Sequence, residues 1–144
     1  MNPIQILLAE DSEADADLIG EALEENRFYT QLHHVRDGVE CMAYLRGEDG
    51  FADSPQPDLL LLDLNMPRKD GREVLAEIKE DPELAWLPVV VLTTSAAESD
   101  LVESYTHHAN AFLTKPVDFE AFMDLIRRLG DFWLTAVRLP PHHH

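Results

Sequence analysis

Five polar residues stand where they could together handle a metal ion and a phosphoryl group. Glu10 and Asp11 follow one short apolar run, Asp63 closes a second, Thr93 closes a third, and Lys115 follows a fourth. Carboxylates that lie close together repel one another unless a cation sits between them, and oxygen-only ligands suit a hard divalent ion such as Mg²⁺. A lysine ammonium and a threonine hydroxyl can each hold a phosphoryl oxygen, and a carboxylate can accept the phosphoryl group. The set therefore predicts metal-assisted phosphoryl transfer.

Each of these residues has a simpler explanation when it is taken alone. The acidic pair at 10–11 could belong to the start of a helix, and Asp63 could be a turn residue. Thr93 could be an ordinary strand residue, and Lys115 an ordinary surface lysine. Their joint placement at strand ends is what favours a functional site. This interpretation requires the three acidic side chains to lie together and Asp63 to be reachable from solvent.

Short apolar runs must position these residues. Four runs are nearly continuous and one alternates with polar residues. The continuous runs occupy Ile4–Ala9, 57–63, 87–93 and Ala111–Thr114, and the alternating run occupies 31–35. Continuous runs of this length are typical of strands buried on both faces, as in a parallel sheet. The alternating run is expected to form a less buried strand nearer an edge.

Helical patterns fill the segments between the runs. The first helix is expected from Glu13 to about Glu25, and Ser12 can cap it. The residues expected on its buried face are Ala14, Leu18, Ile19 and Ala22. Further helices are expected over 38–45, over 71–80, from 99 or 100 to about 108, and from 118 past 133. This alternation predicts a doubly wound α/β domain with right-handed crossovers, whose ligand site lies at the carboxyl ends of the strands.

Length, charge and cysteine content narrow the possible functions. The 144 residues suit one domain, which we assign to residues 1–139, and 140–144 have the composition of a remnant affinity tag. The net charge of −17 argues against binding to nucleic acid or to an anionic membrane. No apolar stretch is long enough for a transmembrane helix, and the single Cys41 is typical of a reducing cytoplasm. Neither Cys41 nor the histidine pairs at 33–34 and 107–108 have the neighbours expected of a reactive or metal-binding site.

The order of the polar residues and their flanking sequences resembles the receiver domain of bacterial two-component signalling. The matching stretches are LLAEDSEAD at 7–15, LLLLDLNMPRKDG at 59–71, VVVLTTS at 89–95 and AFLTKP at 111–116. Together they extend over nearly all of residues 4–135. The resemblance implies a (βα)5 flavodoxin-like fold with five parallel strands in the order 2-1-3-4-5. It also implies a non-enzymatic phospho-acceptor that takes its phosphoryl group from a histidine kinase, promotes its own dephosphorylation and signals through protein contacts.

The resemblance also implies the role of each residue in the phosphorylation site. Asp63 is the phospho-acceptor. Asp11 binds Mg²⁺ directly, Glu10 binds it through water, and the backbone carbonyl of Asn65 is a further ligand. Lys115 pairs with the phosphoryl group or with the acceptor.

The resemblance also implies that residues around this site transmit the signal and set the rate of dephosphorylation. Thr93 is the switch hydroxyl, and Phe112 is the aromatic residue coupled to it. Asn65 and Ser95 occupy positions that tune dephosphorylation. A flavodoxin would need a phosphate-binding turn where the acidic pair stands, and a dehalogenase-type phosphatase would need a second aspartate at position 65.

The fifth predicted helix carries more apolar residues than one buried face requires. The expected core-facing stripe comprises Phe119, Phe122, Met123, Ile126, Leu129 and Trp133, whereas Leu125, Phe132 and Val137 are expected off it. A second apolar stripe is typical of a partner surface, although the tail could instead pack on its own domain. The predicted homodimer uses helix four, strand five, helix five and the tail. Its interface residues are Phe122, Leu125, Phe132, Trp133, Leu134 and Val137.

The tail at 130–140, the loop at 47–57 and the turn at 93–95 resemble those of single-domain response regulators that partner bacterial phytochrome histidine kinases. That resemblance implies a homodimer and a light-sensing kinase as phosphoryl donor. A phosphorelay intermediate, or a chemotaxis-type receiver that binds proteins and uses a different kinase, remains as an alternative.

Overall fold

Five parallel strands form one sheet in the order β2-β1-β3-β4-β5. The computed structural model describes residues 3–24, 30–93, 111–115, 120–121, 124–125 and 127–128. The strands are β1 Ile4–Ala9, β2 Thr30–Val35, β3 Leu59–Asp63, β4 Val89–Thr93 and β5 Ala111–Thr114. The predicted doubly wound α/β fold and its strand order are confirmed.

The burial of each strand follows its place in the sheet. All five residues of β3 and all five of β4 are buried, as expected from their continuous apolar sequences. At one edge, β2 pairs only with β1 in the described part of the chain, and five of its six residues are half-buried or exposed. The alternating run at 31–35 is therefore an edge strand, as its pattern predicted.

Three described helices connect the strands: α1 Glu13–Glu24, α2 Gly38–Arg46 and α3 Gly71–Glu80. Aspartate caps begin two of them. Asp37 Oδ1 accepts the Glu40 N–H of α2 at 2.8 Å, and Asp70 Oδ1 accepts the Glu73 N–H of α3 at 3.0 Å. Within the described ranges, no helix is both long enough and apolar enough to cross a membrane.

The side chains of the sheet form a hydrophobic cluster on each face. Alternate residues of β1 illustrate this, because Leu7 joins the cluster beneath α2 and α3 whereas Leu8 joins the cluster beneath α1. The central strands are thus covered on both sides, which leaves their ends as the places where polar groups can meet a ligand.

The buried face of α1 differs from the predicted one. The buried residues are Ala16, Ile19, Ala22 and Leu23, and Leu18 is 54% exposed. Ala14 is also exposed. Leu18 and Leu23 are five residues apart, which places them roughly 140° apart around the helix, so one apolar face cannot contain both. The helix buries Leu23, and the prediction for Ala14 and Leu18 was wrong.

The predicted surface role of Leu125 was also wrong. Leu125 is 6% exposed and packs in the cluster beneath α1. The exposed helical residues around it are Glu120, Ala121, Asp124, Arg127 and Arg128. Their spacing defines a solvent-facing stripe, and Leu125 lies to one side of it, roughly 100° around the helix from its centre. The other predicted interface residues, and the fourth helix, lie outside the described residues.

The loop at 47–57 is folded against the end of α2. The rings of Tyr44 and Phe51 lie 5.2 Å apart between centroids, and the Tyr44 hydroxyl donates to the Pro55 carbonyl at 2.9 Å. Gly47 ends α2 in the left-handed conformation, with φ of 68°. Contacts with the end of α2 therefore hold this loop in place.

Candidate functional site

Three strand ends bring the predicted acidic residues to one edge of the sheet. Glu10 directly follows β1, Asp63 is the last residue of β3, and Thr93 is the last residue of β4. One carboxylate oxygen from each of Glu10, Asp11 and Asp63 lies within 4.8 Å of the other two. Glu10, Asp63 and Thr93 are buried, whereas Asp11 is exposed. The carboxyl edge therefore gathers the acidic residues as the sequence predicted.

Lys115 places its ammonium among these carboxylates. Its Nζ lies 2.7 Å from Glu10 Oε1, 3.2 Å from Asp63 Oδ2 and 3.3 Å from Asp15 Oδ2. The Lys115 backbone N–H donates to the Thr93 carbonyl at 2.6 Å, which extends the pairing of β4 and β5 by one residue. The strand pairing thus holds Lys115 next to the ends of β1 and β3.

Burial and crowding change the acidity of this cluster. Burial raises the pKa of Glu10 from 4.5 to about 7, the neighbouring Asp63 carboxyl group adds to the rise, and Lys115 opposes it. Burial by itself lowers the pKa of Lys115, but its hydrogen bond to Glu10 and the charge of Asp63 raise the pKa above its ordinary value. The ammonium is therefore charged at neutral pH, and Glu10 releases its proton less readily than an ordinary glutamate.

Three buried oxygens at this edge lack hydrogen-bond partners among the described residues: Glu10 Oε1, Asp63 Oδ2 and Thr93 Oγ1. The two carboxylate oxygens make ion-pair contacts with Lys115 without hydrogen-bond geometry. A buried polar group without a hydrogen bond costs about 1–3 kcal/mol. Oxygen-only donors with this acidic charge fit a hard divalent cation, and the Thr93 hydroxyl is available to donate to a ligand oxygen.

Asp63 is less accessible than the sequence interpretation requires. It is 1% exposed, and the Lys115 side chain that contacts it is 16% exposed. The second oxygen of Asp63, Oδ1, accepts the Asn65 N–H at 3.1 Å. The expectation that Asp63 is open to solvent is therefore not met in this conformation. Lys115 Nζ lies 3.2 Å from Oδ2, so a phosphoryl group that arrives on this oxygen must displace or share that contact.

The loop between β3 and α3 is tied to the start of α2. Arg68 lies in this loop with φ of 65°, in the left-handed region that side chains rarely adopt. Its guanidinium donates twice to Asp37 Oδ2, at 2.8 Å from Nη2 and 3.0 Å from Nε. The same loop carries Asn65, whose carbonyl is a predicted metal ligand. The sequence analysis did not identify the ion pair of Arg68 with Asp37, because the two residues meet only through the left-handed turn.

Two glycines allow close backbone packing around the same loop. A Cβ on Gly71 would lie 2.5 Å from the Asp63 carbonyl oxygen and 2.7 Å from the Leu64 Cα. A Cβ on Gly38 would overlap the Lys69 carbonyl oxygen. The first turns of α3 and α2 therefore press directly on the backbone that carries the site.

The predicted switch residues share a face of the sheet. Phe112 pairs in register with Val91, two residues before Thr93 on β4, and it is half-buried against the cluster that contains Val91. Side chains two residues apart on a strand point to the same side, so Thr93 and Phe112 lie on the same face. Ser95, the other predicted tuning residue, lies outside the described residues.

Other candidate residues have structural partners. His33 Nε2 lies 2.7 Å from Gln5 Oε1, and His34 Nε2 lies 2.7 Å from the Glu10 carbonyl oxygen. Burial raises the pKa of Cys41 to about 12, so this thiol is inert near neutral pH.

The sequence analysis overlooked one residue of the site, Asp15, which lies four residues after Asp11. Asp11 precedes α1, so no helical spacing relates the two residues, and it is the contact with Lys115 that identifies Asp15.

A family model for the response regulator receiver domain matches residues 6–127. This chain belongs to the response regulator receiver family. Response regulator Rcp1 of Synechocystis sp. is 47% identical over 138 residues, which cover 96% of this chain and 94% of Rcp1. Acceptance of a phosphoryl group is the general function of such receivers, in keeping with the chemistry of the carboxyl edge.

Two solved structures of response regulators resemble this receiver closely. The phosphorylated cyanobacterial phytochrome response regulator RcpA is 47% identical with a TM-score of 0.78, covering 94% of this chain and 96% of RcpA. The Mn²⁺-bound form of Rcp1 is 47% identical with a TM-score of 0.78, covering 96% of this chain and 100% of Rcp1. Both likenesses extend over the whole receiver fold.

Proposed function

We propose that this receiver accepts a phosphoryl group on Asp63 with the help of Mg²⁺ and relays a signal by altered protein contacts. The observation that carries the proposal is the convergence of three carboxylates within 4.8 Å beside Lys115 and the Thr93 hydroxyl, which has no hydrogen-bond partner among the described residues. Glu10, Asp11, Asp63 and the Asn65 carbonyl would hold the metal. Its chemical contribution, when bound, is to neutralise the charge between the carboxylates and the phosphoryl oxygens.

The chain's own residues perform the transfer. An oxygen of Asp63 forms the new bond to phosphorus while the bond from phosphorus to the donor's histidine nitrogen breaks. The Lys115 ammonium binds one negatively charged phosphoryl oxygen, and the Thr93 hydroxyl donates a hydrogen bond to another. Hydrolysis of the acyl phosphate then returns the receiver to its starting state, with Asn65 and Ser95 setting the rate.

Thr93 would transmit the change at the phosphorylation site to the surface of the domain. When its hydroxyl turns toward the phosphoryl group, it vacates space on the face of the sheet that it shares with Phe112. Phe112 is half-buried and can turn inward, which changes the surface around β5. Two observations support this coupling: the shared face of the sheet, and the lack of a hydrogen-bond partner for Thr93 Oγ1 within the part of the chain that the structure describes.

The donor is proposed to be a phytochrome histidine kinase. What supports this is the 47% identity to Rcp1 and to RcpA, which is a phytochrome response regulator. A homodimer formed through the C-terminal segment, with Phe132 and Trp133 in its interface, completes the proposal. Size-exclusion chromatography with light scattering, before and after phosphorylation, measures the dimer. A Trp133→Ala variant that elutes like the wild type contradicts the interface.

The central test is phosphorylation by acetyl phosphate with Mg²⁺, followed by intact mass. We expect a gain of about 80 Da for the added phosphoryl group. Asp63→Asn should show no gain, and EDTA should abolish it in the wild type. Asp17→Asn, an exposed change on α1, serves as the matched control and should gain the mass normally. Mass gain by Asp63→Asn, or none by the wild type with Mg²⁺, would overturn the proposal.

A further inference from the structure

Asp15 brings a fourth carboxylate to the ammonium of Lys115. It lies in the first turn of α1, where its backbone N–H donates to the Ser12 hydroxyl at 3.2 Å. Its Oδ2 is 3.3 Å from Lys115 Nζ, and its side chain is 32% exposed. The Ser12 cap fixes this turn of the helix, so the carboxylate is held at the rim of the site, on the solvent side of the buried Glu10 and Asp63.

The ammonium and a divalent cation need the same oxygens. Lys115 contacts Glu10 Oε1 and Asp63 Oδ2, and both residues belong to the acidic group suited to a metal. Two cations cannot share these oxygens at full strength, because like charges a few ångströms apart repel strongly in a buried site. A metal that enters must therefore weaken the hold of Glu10 and Asp63 on the ammonium. Asp15 is the one carboxylate contacting Lys115 in the described structure that lies outside the predicted metal set.

We propose that Asp15 is a positioning residue, which holds the Lys115 ammonium at the rim when a divalent cation occupies Glu10 and Asp63. The identity of that cation and its use in phosphorylation rest on the proposed function. The arrangement has two effects. Metal binding moves Lys115 outward and uncovers Asp63, which is closed in the present conformation. Asp15 also keeps the ammonium within reach of a phosphoryl group that arrives on Asp63.

The test measures binding of Mn²⁺ alone, by calorimetry or by the electron paramagnetic resonance of free Mn²⁺. Asp15→Asn should weaken Mn²⁺ binding about fivefold, since Lys115 then has no alternative to Glu10 and Asp63. Asp15→Glu keeps the carboxylate and should restore most of the affinity. Asp17→Asn removes the same charge from an exposed position of the same helix and should change the affinity less than about twofold.

A double-mutant cycle separates an action through Lys115 from simple loss of charge. Lys115→Gln removes the competing ammonium and should tighten Mn²⁺ binding. In that background, adding Asp15→Asn should change the affinity less than about twofold. Equal effects of Asp15→Asn with and without Lys115 would overturn the proposal.

A structural measurement covers the case in which Lys115→Gln does not fold. In a crystal structure of the wild type with Mg²⁺, Nζ should remain in contact with Asp15 and should have left Asp63 Oδ2. An ammonium that leaves Asp15 for solvent, or stays on Asp63, contradicts the proposal. Failure of the proposed function is distinguishable, because it appears as missing mass gain on Asp63 and leaves these binding and structural results unchanged.

Discussion

The carboxyl and amino edges of the sheet differ in how their polar groups are hydrogen-bonded. At the carboxyl edge, buried oxygens of Glu10, Asp63 and Thr93 lack hydrogen-bond partners in the described structure. At the amino edge, Asp58 and Gln5 satisfy each other. The Gln5 N–H donates to Asp58 Oδ2 at 2.8 Å, and the Asp58 N–H donates to the Gln5 carbonyl at 2.7 Å.

This difference indicates where the fold is incomplete without a ligand. Native proteins pair nearly all buried polar groups, so unpaired ones are expected where another molecule provides the partner. Both edges belong to the same strands, β1 and β3, so the contrast does not come from the sheet itself. It comes from the residues placed at each end, and substitutions at the two ends should therefore have different consequences.

The largest effect is expected from Gly71→Ala, which tests how tightly the carboxyl edge is packed. The added methyl group would lie 2.5 Å from the Asp63 carbonyl oxygen, so the backbone of the site must move. We expect a loss of about 3 kcal/mol in the free energy of unfolding, measured with urea. The matched control is Gly20→Ala on α1, where the nearest contact is an ordinary 3.8 Å to Leu32. That variant should be as stable as the wild type or more so, since alanine favours a helix.

A second effect concerns pH and Glu10 in metal-free protein. The unfolded state ionises near 4.5 and the folded state near 7, so the folded state holds its proton more tightly. Stability should therefore fall as pH rises from about 4.5 to about 7, and then level off. Glu10→Gln removes this dependence and should be more stable than the wild type at pH 8, with little difference at pH 4.5. Urea unfolding in EDTA across this range measures it, and a difference that does not vary with pH contradicts the assignment.

The smallest effect is expected at the amino edge. Asp58→Ala removes the acceptor of the Gln5 N–H and should lower the free energy of unfolding by about 1 kcal/mol. Mn²⁺ affinity should not change, because this edge lies away from the acidic group. Asp53→Ala, an exposed change in the preceding loop, is the control for charge and should leave both quantities unaltered. An altered Mn²⁺ affinity in Asp58→Ala would show that the two edges are coupled.

Most of the architecture was predictable because buried parallel strands need continuous apolar sequence. The residues after those runs had to meet at one edge, so the convergence of Glu10, Asp11 and Asp63 followed from strand direction alone. The rotation of α1 was not predictable in the same way. Both Leu18 and Leu23 fit an apolar helical face, and only packing against β1 and β2 decides between them.

The residues that form the site were easier to predict than the contacts that they make with one another. The contact of Lys115 with Asp63 depends on the path that the Lys115 side chain takes across the strand ends, which no local pattern encodes. The ion pair of Arg68 and Asp37 depends on a left-handed residue that is not glycine. Such residues carry strain that the surrounding structure must offset, and sequence patterns describe the unstrained case.

The contact between Gly38 and Lys69 has a mechanical consequence. No room exists there for even a methyl group, so the first turn of α2 and the loop bearing Asn65 are in tight van der Waals contact. A movement of that loop toward α2 must push the helix ahead of it. A structural change at Asp63 could thus reach the β2 side of the molecule as a displacement of α2, by a route that does not pass through Phe112.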